Sequence, residues 1–281
     1  MSDTPKKITI LYSGGLDSYL MYHWAKIHQP TAEVECIFYQ HGQESEQAEI
    51  DVLPDFVKVR KIDWLGKDIQ PVAKKSDPFA GAIYIPGRNL VFGVLAACQS
   101  LPDEIWMGTV WDEDNQQATD KNDRFKTVTS SLISYVLSPF TDAVEIKFPF
   151  VEAEMTKEDL VRWALTNGIT KEQLINDTVS CWNQVDDKPC GACKQCTKRM
   201  LVFGLNGFSE PYNIHPMKSV RQQKNMMAYI QAAIDHPNEQ NRDEANMVDM
   251  IVRYFDLLPM GLSTWEFEMR RGLINKYKRL H

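Results

Sequence analysis

The sequence has no apolar run approaching the roughly 20 residues that a membrane-spanning helix needs. Its longest, Leu90 to Cys98, is about half that and is interrupted by Gly93. A leader pattern is lacking too: Met1 to Lys7 is polar and passes straight into a β-branched run, so a cytoplasmic chain is expected. There is no internal repeat and no low-complexity tract. Positive charge is not in excess, since 31 Lys and Arg against 38 Asp and Glu leave −7. That balance weighs against a nucleic-acid partner. The six histidines, His23, His28, His41, His215, His236 and His281, form no ligand cluster and read as surface or internally satisfied residues. At 43% hydrophobic and 25% charged residues, the chain is neither disordered nor fibrous but an ordinary globular one.

The six cysteines are few but unevenly spread. Cys36 and Cys98 lie in apolar runs and read as small buried hydrophobes. Cys181, Cys190, Cys193 and Cys196 spell C-x8-C-x2-C-x2-C. Without a secretory leader, clustered thiols read better as metal ligands than as disulfides. Four thiolates at these spacings suit a closed tetrahedral Zn²⁺ site, which staples a loop rather than activating water. A redox C-x-x-C pair and an iron–sulfur cluster are the competing readings. Gly191 relieves the tight turn, and Lys194, Lys198 and Arg199 are placed to offset the anionic thiolates.

Strand and helix signals alternate along the first two-thirds of the chain. Strands are expected at Ile8–Leu11, Val34–Tyr39, Val57–Val59, Ile105–Met107 and Val144–Phe148. Helices are expected at Ser18–His28, Glu44–Leu53, Leu90–Gln99, Phe125–Leu137 and Lys157–Asn167. The alternation predicts an α/β fold, a doubly wound and mostly parallel sheet. Ligands of such sheets bind beyond the C-terminal strand ends. Past Leu205 only helical patterns remain, Met217–Ile234, Glu244–Leu258 and Ser263–Leu280. The expected organisation is a catalytic domain over 1–204, with a metal segment at 180–199, and a helical extension over 205–281. The extension offers a surface for a homodimer or a protein partner.

The first strand-to-helix turn is Ser13-Gly14-Gly15-Leu16-Asp17-Ser18. Two glycines allow a tight bend that brings bare N–H groups to an anion, and the following helix adds its dipole. No Gly-Lys-Ser/Thr follows, so this is not a Walker A loop. Lacking that lysine, the turn suits pyrophosphate, the leaving group when ATP is split at its α-phosphorus. Tyr12, Ser13, Gly14, Gly15, Leu16, Asp17 and Ser18 are the candidate nucleotide-binding residues. Asp17 would meet phosphate through Mg²⁺ or cap the helix. Ser13 and Ser18 carry hydroxyl donors.

This turn looks like that of the PP-loop ATP pyrophosphatase superfamily, and Met155-Thr156-Lys157-Glu158 resembles its lysine-bearing second motif. Together with the cysteine block, the sequence resembles the 7-cyano-7-deazaguanine synthase (QueC) family. Further matches are Gly42-Gln43 with Ala48-Glu49-Ile50-Asp51, Pro86-Gly87-Arg88-Asn89 with Ala96-Ala97, and Ser180-Cys181-Trp182-Asn183, collinear over roughly 6–205. The resemblance implies that ATP adenylates the carboxylate of 7-carboxy-7-deazaguanine. Ammonia then displaces AMP to give the amide, and a second adenylation gives the nitrile of queuosine biosynthesis. It also implies catalytic roles for Asp17, Ser18, Lys157 and Arg88, and contact of Arg88 and Asn89 with nucleotide or substrate. Trp182 is the candidate for base stacking, whereas Trp106 is expected in the core.

Two segments depart from the family pattern. Where the family carries Asp-Tyr-Gly-Gln followed by a basic residue and His, this chain reads Gln40-His41-Gly42-Gln43-Glu44-Ser45. Where the family carries Tyr-Pro-Asp-Cys-Arg, it reads Asp112 to Asp120, without a cation. These changes admit a relative that stops at the amide or transfers the activated deazapurine to another amine. A tRNA-modifying PP-loop enzyme is a further alternative, disfavoured by the charge and the compact cysteine cluster.

Overall fold

The computed structural model describes residues 4–43, 46–62, 72–73, 83–85, 87–113, 120–181, 183–237, 240–258 and 264–280. The chain divides into two compact units, one of 1–156 with 164–179, the other of 157–163 with 180–281.

The first unit is built on five parallel strands: β1 (Lys7–Leu11), β2 (Glu33–Gln40), β3 (Val57–Lys61), β6 (Glu104–Trp106) and β7 (Glu145–Lys147). Their order is β3-β2-β1-β6-β7. β1 is therefore central, and strand order reverses between β1 and β6. A two-stranded antiparallel ribbon, β4 (Val72–Ala73) with β5 (Ile83–Tyr84), was not foreseen from the sequence. Pleating sends alternate residues to opposite faces. Ile37, Tyr39, Ile105, Met107, Ile146 and Phe148 share one core with Ala96 and Ala97 of α3 (Arg88–Ser100) and with Ile133 and Leu137 of α4 (Asp123–Leu137). Ile8, Ile10, Cys36 and Phe38, of opposite parity, are buried as well, and α1 (Leu16–His28) packs on β1 and β2. Each such side chain removed from water contributes about 1.5–3 kcal/mol.

Helix boundaries follow local chemistry. α4 begins where the Asn122 side chain accepts the Phe125 N–H at 2.9 Å. The same helix covers the edge strand β7: Ser130 Oγ accepts the Ile146 N–H at 2.8 Å, and Ser134 Oγ accepts that of Val144 at 3.0 Å. Unpaired edge groups are thereby satisfied. α2 (Glu46–Asp51), α5 (Pro149–Glu152) and α7 (Lys171–Asn176) are short. Cys98, expected inside, is exposed. On α3 the buried residues are Gly93, Ala96 and Ala97, so Cys98 lies one step round the helix from the core, and general apolarity did not reveal which face turns inward.

The second unit contains the opening turns of α6 (Lys157–Thr166), then α8 (Lys194–Leu205), α9 (Val220–Asp235), α10 (Arg242–Leu257), α11 (Thr264–Glu268) and α12 (Asn275–Leu280). α10 packs on α8 and α9. The last expected helix is interrupted, because Met269–Ile274 winds as a π-helix between α11 and α12. There Arg270 donates to the carbonyls of Phe255 and Leu258, the latter at 2.9 Å, and so closes the C-terminal end of α10. No helix among the described residues is long and apolar enough to cross a membrane.

Candidate active site and four-cysteine centre

β1 gives way to the glycine turn at the point where strand order reverses, the place where open α/β sheets leave a crevice. Tyr12 N–H still reaches Ile37 O on β2 at 2.9 Å. Gly14 then adopts φ +70°, and a Cβ there would stand 2.8 Å from the Glu49 carbonyl oxygen. Gly15 is the N-cap of α1 and offers no side-chain acceptor to the first-turn N–H groups. Helix amides and dipole are left for an anion. Ser18 is 2% exposed; its hydroxyl donates to Gly15 O at 3.0 Å and accepts the Ser13 N–H at 3.1 Å. It pins the turn from below, whereas Ser13 is exposed on the outer side. Asp17 occupies the first turn of α1, one residue past the start, and is not the N-cap. Gly108, just beyond β6, lies against it: a Cβ there would be 3.4 Å from Asp17 Cβ.

Residues far along the chain brace this turn. Val179 N–H donates to Gly14 O at 2.9 Å. Tyr19 of α1 donates to Asp177 Oδ2 at 3.4 Å, and burial with the Asp177 charge pushes its phenol up to about 12. Tyr12 is 2% exposed with a buried hydroxyl, and burial raises its pKa well above the ordinary value, so it stays protonated. Asp177 carries no sequence signal that spacing reveals.

Arg88 opens α3, and its Nη1 lies 3.4 Å from Gln43 Oε1; Gln43 in turn donates to Glu49 Oε2 at 2.7 Å. Two separated motifs, Gly42-Gln43 and Arg88, thus meet above β2. Asn89 turns elsewhere, to Asp120 O at 3.2 Å and Asp120 Oδ2 at 3.1 Å. Lys157 is the first residue of α6 and belongs to the second unit. Beside it, Glu158 is 5% exposed and is held by Arg253 of α10 at 2.5 Å and by Arg162 at 2.6 Å. Trp106 is 4% exposed, as expected of a core residue. Trp182, Glu44, Ser45, Pro86 and residues 114–119 lie outside the described residues. His41, read as surface or satisfied, is not on the surface: it is 5% exposed, and its Nε2 has no partner at full hydrogen-bond geometry among the described residues.

In the second unit the four cysteines converge, with all four sulfurs within 4.8 Å of one another. Gly191 takes φ +72°, and a Cβ there would fall 1.5 Å from the Ile214 carbonyl oxygen, so the loop closes only with glycine. Backbone amides point at the sulfurs: Cys190 N–H to Cys181 at 3.2 Å, Gly191 N–H to Cys196 at 3.3 Å, Ala192 N–H to Cys190 and Cys196 N–H to Cys193, both at 3.4 Å. Such donors stabilise thiolates. Hydrogen bonds from Cys181 and Cys196 draw Cys193 down towards the thiolate form, and Cys181 is pushed up in exchange. The donor set fits one thiophilic cation with no open position.

The cations expected to offset the thiolates also pair with carboxylates. Lys198 pairs with Asp243 at 2.9 Å and Arg199 with Glu210 at 2.7 Å. Gln222, 1% exposed on α9, donates to Ala192 O at 2.6 Å and accepts from Thr197 at 2.9 Å. Helices after 205 therefore grip the cysteine loop directly. The available signal was Gln222 itself, a lone polar residue four before Met226 on the buried stripe of α9.

Among solved structures, the chain is similar to the U34-tRNA thiolase NcsA from Methanococcus maripaludis with its 4Fe–4S cluster, at 11% identity and a TM-score of 0.38, over 95% of this chain and 81% of that one. The family model described as queuosine biosynthesis protein QueC matches residues 7–207. That span holds the glycine turn, the Arg88 segment and all four cysteines, and the chain belongs to the QueC family.

Proposed function

We propose that the protein is an AMP-forming, ATP-dependent carbon–nitrogen ligase that converts the carboxylate of 7-carboxy-7-deazaguanine to the amide and nitrile with ammonia. The observation that carries this reading is the Ser13–Ser18 turn at the β1/β6 reversal, in a chain of the QueC family. Oxide does not leave a carboxylate, whereas AMP does. The turn would bind the β- and γ-phosphates, its amides stabilising pyrophosphate as it departs. Asp17 would hold Mg²⁺, which supplies charge neutralisation there. Arg88 would hold the acid beside the α-phosphorus, which supplies proximity. Lys157 would meet phosphate charge, and Asn89 would contact the nucleotide. The four cysteines would hold one Zn²⁺, a structural staple for the loop opening α8.

A second reading is favoured by one observation: the segments at 40–45 and 112–120 lack the cations that the family pattern carries there. The activated acid then stops at the amide or passes to a different amine. Incubation with ATP, ammonium and 7-carboxy-7-deazaguanine, followed by mass spectrometry, separates the two. AMP with nitrile is expected. AMP with amide alone selects the second reading, and no AMP from folded, metal-loaded protein removes this substrate.

A further inference from the structure

His41 stands just beyond β2, on the strand next to the one that feeds the glycine turn. Its Nδ1 is 3.0 Å from the Tyr39 carbonyl oxygen. A carbonyl only accepts, so Nδ1 carries the hydrogen and Nε2 keeps a bare lone pair. That nitrogen is buried and has no partner at full hydrogen-bond geometry among the described residues, although the Gln43 side chain interacts with the ring. The opposite tautomer would set two lone pairs against each other at Tyr39 O.

The ring is held firmly. Glu46 Oε1 accepts the N–H groups of both His41 and Gly42, the latter at 2.8 Å. Phe92 meets the imidazole edge-on, 5.3 Å between ring centres at 71°. The charged groups facing it are Glu46, 3.9 Å from Nδ1, and Arg88, with the Gln43 amide between. Burial is the main cause, and Arg88 a further one, that lowers the imidazole pKa and keeps the ring neutral. A buried acceptor this rigid is costly to leave unmatched.

A bare acceptor beside a guanidinium complements a molecule that carries an N–H donor and an anionic group. We infer that His41 is a substrate-binding residue: its Nε2 accepts a hydrogen bond from a ring N–H of a planar heterocyclic acid, while Arg88 meets the carboxylate. This rests on the acid-activating reading above, and 7-carboxy-7-deazaguanine carries both groups. A neutral imidazole with a fixed tautomer discriminates by accepting, and it carries no proton through the reaction. An acid of the same shape without the N–H would leave the lone pair unfilled and bind less well.

Two measurements test it on the full-length, metal-loaded chain. His41→Phe keeps an aromatic ring against Phe92 and removes the acceptor; His41→Gln keeps an acceptor near the Nε2 position. His41→Phe is expected to raise KM for 7-carboxy-7-deazaguanine at least about tenfold, with KM for ATP within about twofold and His41→Gln recovering most of the loss. An unchanged acid KM in His41→Phe, or equal rises for acid and ATP, overturns the assignment. Independently of turnover, the ¹⁵N signal of His41 Nε2 should move towards the hydrogen-bonded range on saturation with the acid, and not with ATP alone. If the signal moves while no AMP forms, His41 stands and the ligase reading falls. If AMP forms while the signal stays fixed, the ligase reading stands and His41 is a packing residue. Failure of both overturns both.

Discussion

The glycine turn of the first unit and the cysteine loop of the second share a design. In each, one glycine at φ near +70° (Gly14 at +70°, Gly191 at +72°) bends the chain just ahead of a helix, α1 or α8. They differ in what the amides face. Around Gly191 the amides point at the chain's own sulfurs, so the acceptors are built in and the loop is arranged to hold a cation. The N-cap of α1 brings no side-chain acceptor, so an anion at this turn would have to come from outside. One backbone geometry thus gathers four thiols where the sequence supplies cysteines, and leaves a glycine turn of small residues where it does not, the turn to which the proposed function assigns phosphate. This comparison separates stability from activity, and variants should respect the division.

The largest effect is expected from Cys196→Ser. Cys196 is 1% exposed, and the Gly191 N–H and the sulfurs of Cys190 and Cys193 converge on its sulfur. Loss of one ligand of four should abolish tight metal binding, which in small metal sites amounts to about 10 kcal/mol or more of folding free energy. Elemental analysis should fall from one equivalent of zinc per chain to near none, and helical circular dichroism should drop as α8 to α10 loosen. Chelation of the wild type should reproduce the loss. Iron in place of zinc would change the metal assignment. Full helicity in the metal-free variant would show that Gln222, Asp243 and Glu210 hold the loop unaided.

Asp17→Ala should act oppositely. It leaves the Ser18 pin and the Gly14 bend in place and removes only a partly buried carboxylate, so the melting temperature should stay within about 2 °C. AMP formation should fall about 10²- to 10³-fold, the usual consequence of removing one charge-stabilising group at a phosphoryl centre. A variant that turns over normally would break the assignment of this turn to nucleotide.

The architecture was legible because its signals are local. The strand run Ile8–Leu11, the bend at Gly14 and the cysteine spacing each announce themselves within a few residues, and the structure places β1, the turn and the sulfur cluster there. What sequence could not show depends on distant partners. Asp177 matters through Tyr19, Glu158 through Arg253, and Gln222 through Ala192. Helix α8 was overlooked because its metal-ligand residues dominated the reading of 190–205. The π-helical break at Met269–Ile274 lies in a segment whose apolar spacing suggests one continuous helix. His41 was misread because a lone histidine looks alike whether its second nitrogen is matched or bare.

A pair of glycine substitutions tests the shared geometry at smaller amplitude. Gly14→Ala incurs the left-handed penalty, about 1–2 kcal/mol, plus a shift away from Glu49 O at 2.8 Å. Gly191→Ala incurs the same penalty, and its Cβ would lie within bonding distance of Ile214 O at 1.5 Å, so the backbone itself must move, at a cost of at least about 3 kcal/mol. Thermal unfolding should rank wild type, then Gly14→Ala, then Gly191→Ala. KM for ATP should rise only in Gly14→Ala. The reverse ranking would mean that the glycine turn, rather than the cysteine loop, is the stiffer of the two.

The smallest effect is a pH dependence that both units share. Burial is the chief cause lowering the pKa of His23 in the first unit and of His215 in the second below the ordinary 6.5. The unfolded chain takes up protons on these rings below about pH 6.5, while the folded chain resists. Their contribution to stability is therefore complete above about 6.5 and is lost as pH falls through the folded-state values. A metal-loaded cysteine centre would also weaken in acid, since protons compete with the metal for the thiolates, so the wild-type slope alone mixes two causes. His23→Gln removes one imidazole and leaves the sulfurs and His215 untouched, so the difference between its slope and that of the wild type isolates the His23 share. Between pH 7.5 and 5.5 the variant should lose on the order of 1–3 °C less in melting temperature than the wild type. Identical slopes would show that His23 contributes nothing to the acid sensitivity and would leave it to the second unit, to His215 and the cysteine loop.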